Sequence, residues 1–154
     1  LSFFAYKGYF QMAITTAMCN TFKQELLGGV HDLDTNSLKI ALIKVSPTSS
    51  YGAATTNYSD LGSDEATGTN YTAGGQALDS ATITLSGTTA FVDFADEVFP
   101  NLTISAAGAL IYNSSQSNKA VAVFNFGSTV TSTAGDFTVV FPAADASNAV
   151  IRIT

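Results

Sequence analysis

Aspartates and an amide alternate in the segment Asp32-x-Asp34-x-Asn36, which is the spacing with which a calcium-binding loop begins. A complete loop of that type has Gly at its sixth position and a bidentate Glu at its twelfth. Those positions hold Ser37 and Ile43 here, and Ile43 lies within a predicted strand. The segment is therefore predicted to be a solvated turn with Asx capping. We assign no metal and no cofactor to the chain.

The chain has a single cysteine, Cys19, and a single histidine, His31, which together form the simplest conceivable nucleophile–base pair. Most of a predicted helix separates the two residues, and no nucleophile motif surrounds Cys19. We therefore predict that Cys19 packs the helix against a sheet. No catalytic residue is assigned from this pair.

Three carboxylates, Asp93, Asp96 and Glu97, lie close together in the sequence and could supply a pair for glycoside hydrolysis. Acids at such short spacing are more typical of turns, and the chain has no Trp, a residue that sugar sites favour. The chain is predicted not to be an enzyme. A hydrolase that uses the acids near Asp93 is kept as an alternative.

The composition is poor in charge: 12% of the 154 residues are charged, against about 25% in a typical domain. The net charge of −6 argues against nucleic-acid binding, which needs a basic face, and against anionic membrane surfaces. Low charge is also typical of the centres of protein–protein contacts. The alternative is a secreted or thermally stable β-domain with a Thr/Ser-rich coat.

The first eleven residues form an aromatic segment ahead of Met12-Ala-Ile-Thr-Thr, which resembles a natural start. Residues 1–11 are either an arm that docks on a neighbouring subunit or translated upstream sequence or a cloning remnant. Residues 12–154 are predicted to form a single β-rich domain. The interface candidates in the arm are its aromatic residues: Phe3, Phe4, Tyr6, Tyr9 and Phe10.

The secondary-structure elements that would position these residues are predicted to be mostly strands. A helix is predicted from Thr15 or Thr16 to the Gly28-Gly29 pair, with Met18, Phe22, Leu26 and Leu27 at helical spacing. A central hairpin is predicted from the apolar runs 109–112 and 120–126. Further strands are predicted at 38–45, 76–86, 88–94, 98–104, 135–142 and 148–154, with Ile151 and Ile153 facing the core. About eight strands and one short N-terminal helix favour a mainly β fold, either an antiparallel β-sandwich or a jelly-roll-like barrel.

Residues 46–75 lack periodicity and form a long predicted loop, which is a kind of segment that often carries function. Its tyrosines either anchor the loop to the body of the domain or face a partner. These further interface candidates are Tyr51, Tyr58 and Tyr71.

Several phrases between Met12 and Thr154 resemble small virion structural proteins of tailed bacteriophages. They begin at Phe22 (FKQELLGGVHD), Leu38 (LKIAL), Tyr71 (YTAGG), Val92 (VDFAD), Ala109 (ALIYN) and Phe137 (FTVVFPAADA). The resemblance implies a non-enzymatic capsid decoration or cement protein whose partners are the major capsid protein or other virion proteins. It also implies a homo-oligomer, a trimer by preference, located in virions assembled in the bacterial cytoplasm.

Two other functions fit the same residues. The chain could be a tail tube, adaptor or fibre-base component of the same kind of particle. It could also be a carbohydrate-binding β-sandwich in which Tyr51, Tyr58 and Tyr71 stack on sugars.

Overall fold

The computed structural model describes residues 13–79 and 81–154, and within them the chain is mainly β, with eight strands and one α-helix. That coarse prediction is confirmed. The aromatic arm, with Phe3, Phe4, Tyr6, Tyr9 and Phe10, lies outside the described residues. The strands are β1 (Ala17–Met18), β2 (Leu38–Lys44), β3 (Gln76–Ala77), β4 (Thr82–Ser86), β5 (Thr89–Asp93), β6 (Glu97–Asn113), β7 (Lys119–Val139) and β8 (Ile151–Ile153).

The strands form two antiparallel sheets. The larger has the order β1-β7-β6-β2-β3 and the smaller the order β4-β5-β8. Neither order returns to its first strand, so the sheets are not closed and the barrel form is not seen. Residues from both sheets, including Val92 and Ile151 of the smaller one, belong to one apolar core.

A long hairpin of β6 and β7 dominates the larger sheet. The sequence predicts separate short strands at 98–104, 109–112, 120–126 and 135–142, but the structure joins them into strands of 17 and 21 residues. Pro100 does not end β6, because the pairing with β7 is irregular between Phe99 and Leu102. A residue without an N–H is tolerated at such an irregularity.

Strand β2 lies between β6 and β3 and is buried on both faces, as a central strand should be. Ile40 and Leu42 point to one face, and Ala41 and Ile43 to the other, and none of the four is exposed. This burial explains why the sequence of β2 is an apolar run and not a strict alternation of apolar and polar residues.

The helix α1 (Asn20–Leu27) is shorter than predicted, because Ala17 and Met18 pair with β7 as β1 and are not available to a helix. Phe22 is fully buried and Cys19, just before the helix, is also buried. Leu27 is 92% exposed, so its predicted place on the packed face is wrong. No described helix has the length and apolar character needed to cross a bilayer.

The smaller sheet begins with a hairpin of β4 and β5, which lie within the predicted strands 76–86 and 88–94, and Gly87 in its turn adopts a φ of +60°. Alternation places Ile151 and Ile153 of β8 on the same face, as predicted. Ile151 is buried, but Ile153 is 54% exposed, because the core covers only part of this face. The prediction that both isoleucines face the core is therefore wrong for Ile153.

Candidate interaction surfaces

Cys19 and His31 are placed in separate structural roles. The Cys19 Sγ lies 3.9 Å from the Gly52 carbonyl oxygen. Burial, together with the Asp60 charge, raises the pKa of the Cys19 thiol to about 12. A thiol in that state is inert at neutral pH. No hydrogen bond joins Cys19 to His31 in the described residues.

His31 is buried in a polar network that ties the helix to the central hairpin. Its Nε2 lies 3.0 Å from the Glu25 carboxylate and its Nδ1 lies 3.0 Å from the Asn113 amide nitrogen. Glu25 also accepts a hydrogen bond from the Lys119 ammonium. Desolvation acts against the Glu25 charge, but the bonds from Lys119 and His31 outweigh it and lower its pKa. This arrangement is a structural clamp.

The acids near Asp93 also have separate partners. The Asp96 carboxylate accepts a hydrogen bond from the Phe141 N–H at 2.9 Å, and the Glu97 carboxylate accepts one from the Gln76 amide at 2.8 Å. Burial and the neighbouring Asp79 charge raise the pKa of Glu97. Asp93 Oδ1 is buried and has no hydrogen-bond partner among the described residues. No contact between described residues joins these carboxylates into a pair.

The segment with the calcium-like spacing is a turn, as predicted. The Asp32 carboxylate accepts hydrogen bonds from the backbone N–H groups of Asp34 and Thr35 and from the Thr35 hydroxyl. The Thr35 hydroxyl and these backbone donors lower the pKa of Asp32. Within residues 13–79 and 81–154, no three His, Cys, Asp or Glu side chains are grouped to hold a metal ion.

The long loop is fixed to the domain by a buried carboxylate, Asp64, which is 1% exposed. Asp64 accepts hydrogen bonds from the Thr48 N–H and hydroxyl and from the Ser49 N–H, and it pairs with the Lys44 ammonium at 2.8 Å. The Tyr51 hydroxyl also donates to Asp64, at 2.9 Å. Desolvation opposes ionisation, but Lys44 and the hydrogen bonds prevail and lower the pKa of Asp64 strongly.

Glu65 is a second anchor of the loop. It accepts hydrogen bonds from the hydroxyls of Tyr58 and Tyr71 and from the Gly74 N–H. The Tyr71 hydroxyl in turn accepts a hydrogen bond from the Leu42 N–H in the central strand, at 2.9 Å. Burial and the Glu65 charge raise the pKa of both tyrosines above the usual range.

The three candidate tyrosines therefore take part in anchoring. Tyr51 is 4% exposed, and Tyr58 stacks on Tyr112 with ring centroids 4.7 Å apart. Tyr71 packs against Phe99 with centroids 5.9 Å apart. These positions fit the anchoring alternative, and a contact with a partner or a sugar stays a prediction for the half-buried Tyr58 and Tyr71.

An apolar surface lies on the smaller sheet, which the sequence did not single out. The paired residues Ile83–Val92, Leu85–Ala90 and Ala90–Ile153 place these side chains on one face. Ile83 is 54% and Leu85 is 72% exposed. An apolar cleft of about 310 Å³ continues this face toward Leu26 and Leu33. The sequence signal that was missed is the absence of any charged residue from 81 to 92.

A second apolar groove follows the outer part of β7. Its walls are aromatic: Phe124, Phe126, Phe137 and Phe141. The ring centroids of Phe126 and Phe137 lie 6.1 Å apart, and those of Phe124 and Phe141 lie 6.2 Å apart. Strand β1 pairs with β7 only at Ala122 and Val123. Beyond that point, the Asn125 N–H donates to the Thr16 hydroxyl and the Asn125 side-chain amide donates to the Ile14 carbonyl oxygen. Among the described strands, none pairs with the outer edge of β7 after Asn125, and residues 124–135 carry no charge.

No family model, no curated protein and no solved structure matches this chain.

Proposed function

We propose that the chain is a non-enzymatic virion structural protein, a capsid decoration or cement protein of a tailed bacteriophage. The observation that carries the proposal is that two sheet edges, β4 and the outer part of β7, are uncharged and bordered by exposed apolar side chains. Monomeric proteins protect such edges with charged residues, Pro or covering segments. Within residues 13–79 and 81–154, neither edge carries a charge or a proline or is covered by another strand, and such edges are suited to permanent contacts with other subunits.

The titratable side chains support the same proposal. Cys19, His31, Asp64, Glu65 and Glu97 each bond to a structural partner within the chain. In this proposal the role of these side chains is to hold the fold together. The choice of a phage particle as the assembly that contains this protein rests on the resemblance of its sequence to phage virion proteins.

We also infer that the two sheets pack face to face as an open β-sandwich. Support comes from the shared core, in which Val92, Phe94 and Ile151 from the region of the smaller sheet contact the apolar residues of the larger one. An open sandwich leaves its outer strands accessible, as a protein that acts by lateral contact requires.

The work of a decoration protein is burial of area. A contact of standard size buries about 1,600 Å² in total. Burial of apolar area contributes about 25 cal/mol per Å², although the cost of association removes much of this gain. Many copies together would hold capsid subunits against internal pressure. In this proposal the uncharged edge of β7 is the surface for the major capsid protein, which would add a strand to it.

The test is to purify phage particles from the culture that produces this chain, to identify the chain in them and count its copies by peptide mass spectrometry, and to locate it by electron cryomicroscopy. The expected result is a position on the head with a copy number that follows the capsid lattice. A position on the tail would instead support the tail-component alternative. Absence from the particles would contradict both.

A matched pair of variants tests the surface. Val130→Lys places a charge on the β7 edge, where Val130 is 38% exposed, and should remove the protein from heads. Leu27→Lys changes an exposed leucine on the helix and should leave its binding unchanged. Equal binding of both variants would contradict the assignment of the β7 edge.

A further inference from the structure

We propose that β4 is a self-complementary edge through which two copies of this chain pair about a two-fold axis centred on Thr84, which joins their smaller sheets into one continuous sheet. The inference concerns contacts between copies and does not rest on the proposed virion function. It also does not depend on the β7 edge, which belongs to the other sheet.

The residue order of β4 carries the inference. The strand reads Thr-Ile-Thr-Leu-Ser, which has nearly the same pattern in both directions. In an antiparallel pair, residues directly opposite each other lie on the same face. With Thr84 opposite Thr84 of the second copy, each Ile83 lies opposite a Leu85. The apolar side chains then meet apolar side chains, and hydroxyl side chains meet hydroxyl side chains on the other face.

The exposure of β4 fits such a partner. Every residue of the strand is exposed, and β4 is an outer strand of its sheet. Ile83 and Leu85 are 54% and 72% exposed, and Ile153 on the same face is 54% exposed. A second copy in this register would extend the apolar face by its own Ile83 and Leu85. The apolar cleft beside Ile83 would continue across the two copies.

The charge distribution favours contact between two copies through the β4 edge over contact through other parts of their surface. The chain has a net charge of −6, so two copies repel each other over most of their surface. The segment from Ala81 to Val92 carries no charge, and the nearest acids are Asp79 and Asp93. Strand β4 itself, Thr82–Ser86, holds no acid, so no two acids face each other along the paired strands. Two acidic copies can therefore meet along this edge.

A two-fold contact that uses the same patch on both copies is self-limiting. Both β4 edges are consumed in one pair, so the contact closes at two copies and does not form a filament. Such closure would explain how a chain with an uncharged edge strand avoids the aggregation that open edges otherwise cause.

The test is the mass of the purified full chain in solution, by light scattering and sedimentation equilibrium. The expected wild-type mass is that of two copies or of a larger even number of copies. Leu85→Lys places a charge at both symmetry-related apolar contacts and should weaken the association about a hundredfold. Leu27→Lys, an equally drastic change at an exposed leucine outside the edge, should leave the association unchanged.

A charge-swap experiment tests the register. Thr84→Lys and Thr84→Glu each place like charges opposite each other and should each weaken self-association about fivefold. Mixing the two variants should restore association as a mixed pair. Restoration requires only that each variant folds, which circular dichroism checks before mixing.

Cross-linking gives an independent readout. Opposite residues have Cβ atoms about 4.5–5.5 Å apart, close to the span of a disulfide. Thr84→Cys should therefore form a covalent dimer under mild oxidation, whereas Leu27→Cys should not. The natural Cys19 is buried and gives little background. A wild-type chain that stays monomeric, or an oligomer that Leu85→Lys and Thr84→Lys leave intact, would overturn the proposal.

Discussion

The long loop and the smaller sheet are both rich in Thr, Ser and Ala, yet they are held in opposite ways. The loop is fixed by two carboxylates, Asp64 and Glu65, that accept hydrogen bonds from other parts of the loop. The smaller sheet is held by its strand pairing and by a few buried apolar residues, such as Val92 and Ile151. Its outer strand, β4, is exposed throughout.

The difference shows which region is complete within one chain. A loop without regular pairing must satisfy its backbone groups by other means. Asp64 does so for the N–H groups of Thr48 and Ser49, and Glu65 for that of Gly74. A strand with an open edge leaves its backbone groups and apolar side chains for solvent or for another chain. We therefore expect substitutions in the loop to change folding stability and substitutions on β4 to change association.

The largest expected difference in folding stability is between alanine substitutions at two glycines with similar backbone conformation. Gly75, the last residue of the loop, has a φ of +66°, and a Cβ there would lie 1.8 Å from the Ile40 carbonyl oxygen. Gly75→Ala should destabilise the fold by about 4 kcal/mol or more in urea unfolding, because backbone of the central strand would have to move. Gly87, in the β4–β5 turn, has a φ of +60° with nothing within 4 Å of a Cβ. Gly87→Ala should cost only about 1 kcal/mol. Equal losses would contradict the comparison.

The buried carboxylate of the loop gives the next largest effect. Asp64→Asn removes the charge that faces Lys44 and several N–H donors, and should cost about 3 kcal/mol. Asp34→Asn, at an exposed acid in a turn, should change the free energy of unfolding by less than about 0.5 kcal/mol.

The same carboxylate predicts a pH dependence. The pKa of Asp64 is lower in the folded state than in the unfolded chain, where it is about 3.9. The unfolded state therefore binds more protons in acid, and the contribution of Asp64 is complete above that pKa and declines as the pH falls toward the folded value. Urea unfolding between neutral pH and acid should show a smaller loss for Asp64→Asn than for the wild type. Parallel curves would contradict this role.

A tyrosine hydroxyl that links the loop to the central strand should have an intermediate effect. Tyr71→Phe removes the acceptor of the buried Leu42 N–H as well as a donor to Glu65, and should cost about 2 kcal/mol. Tyr58→Phe removes a donor to Glu65 and an interaction with the Gly74 N–H, which also donates to Glu65, and should cost about 1 kcal/mol. Chemical denaturation of both variants measures the difference, and the reverse order would show that the Leu42 contact does not matter.

The smallest effect is expected on the open strand. Leu85→Ser should change the free energy of unfolding by no more than about 0.5 kcal/mol, provided that the measurement is made under conditions where stability does not depend on protein concentration. Ile151→Ala, on the same face but 2% exposed, should cost about 3 kcal/mol. A large loss for Leu85→Ser in the monomer would mean that β4 is part of the core.

Local pattern was sufficient for the strand positions. Alternation and apolar runs located β2, β4, β5 and the central part of the β6–β7 hairpin, because the period of two is a property of neighbouring residues. Glycine also marked the β4–β5 turn and the end of the helix correctly. The turn at Asp32 followed from side-chain capping, which acts over three residues.

Long-range contacts decided the rest. Whether short runs join into one strand depends on the partner strand, so the length of β6 and β7 could not be read from either run alone. The anchoring of the loop depends on atoms far apart in the sequence, such as Leu42 N and Tyr71 Oη. The exposure of Leu85 and Ile153 depends on where the core ends. Alternation specifies which side chains share a face, whereas only the packed chain specifies which part of that face is covered.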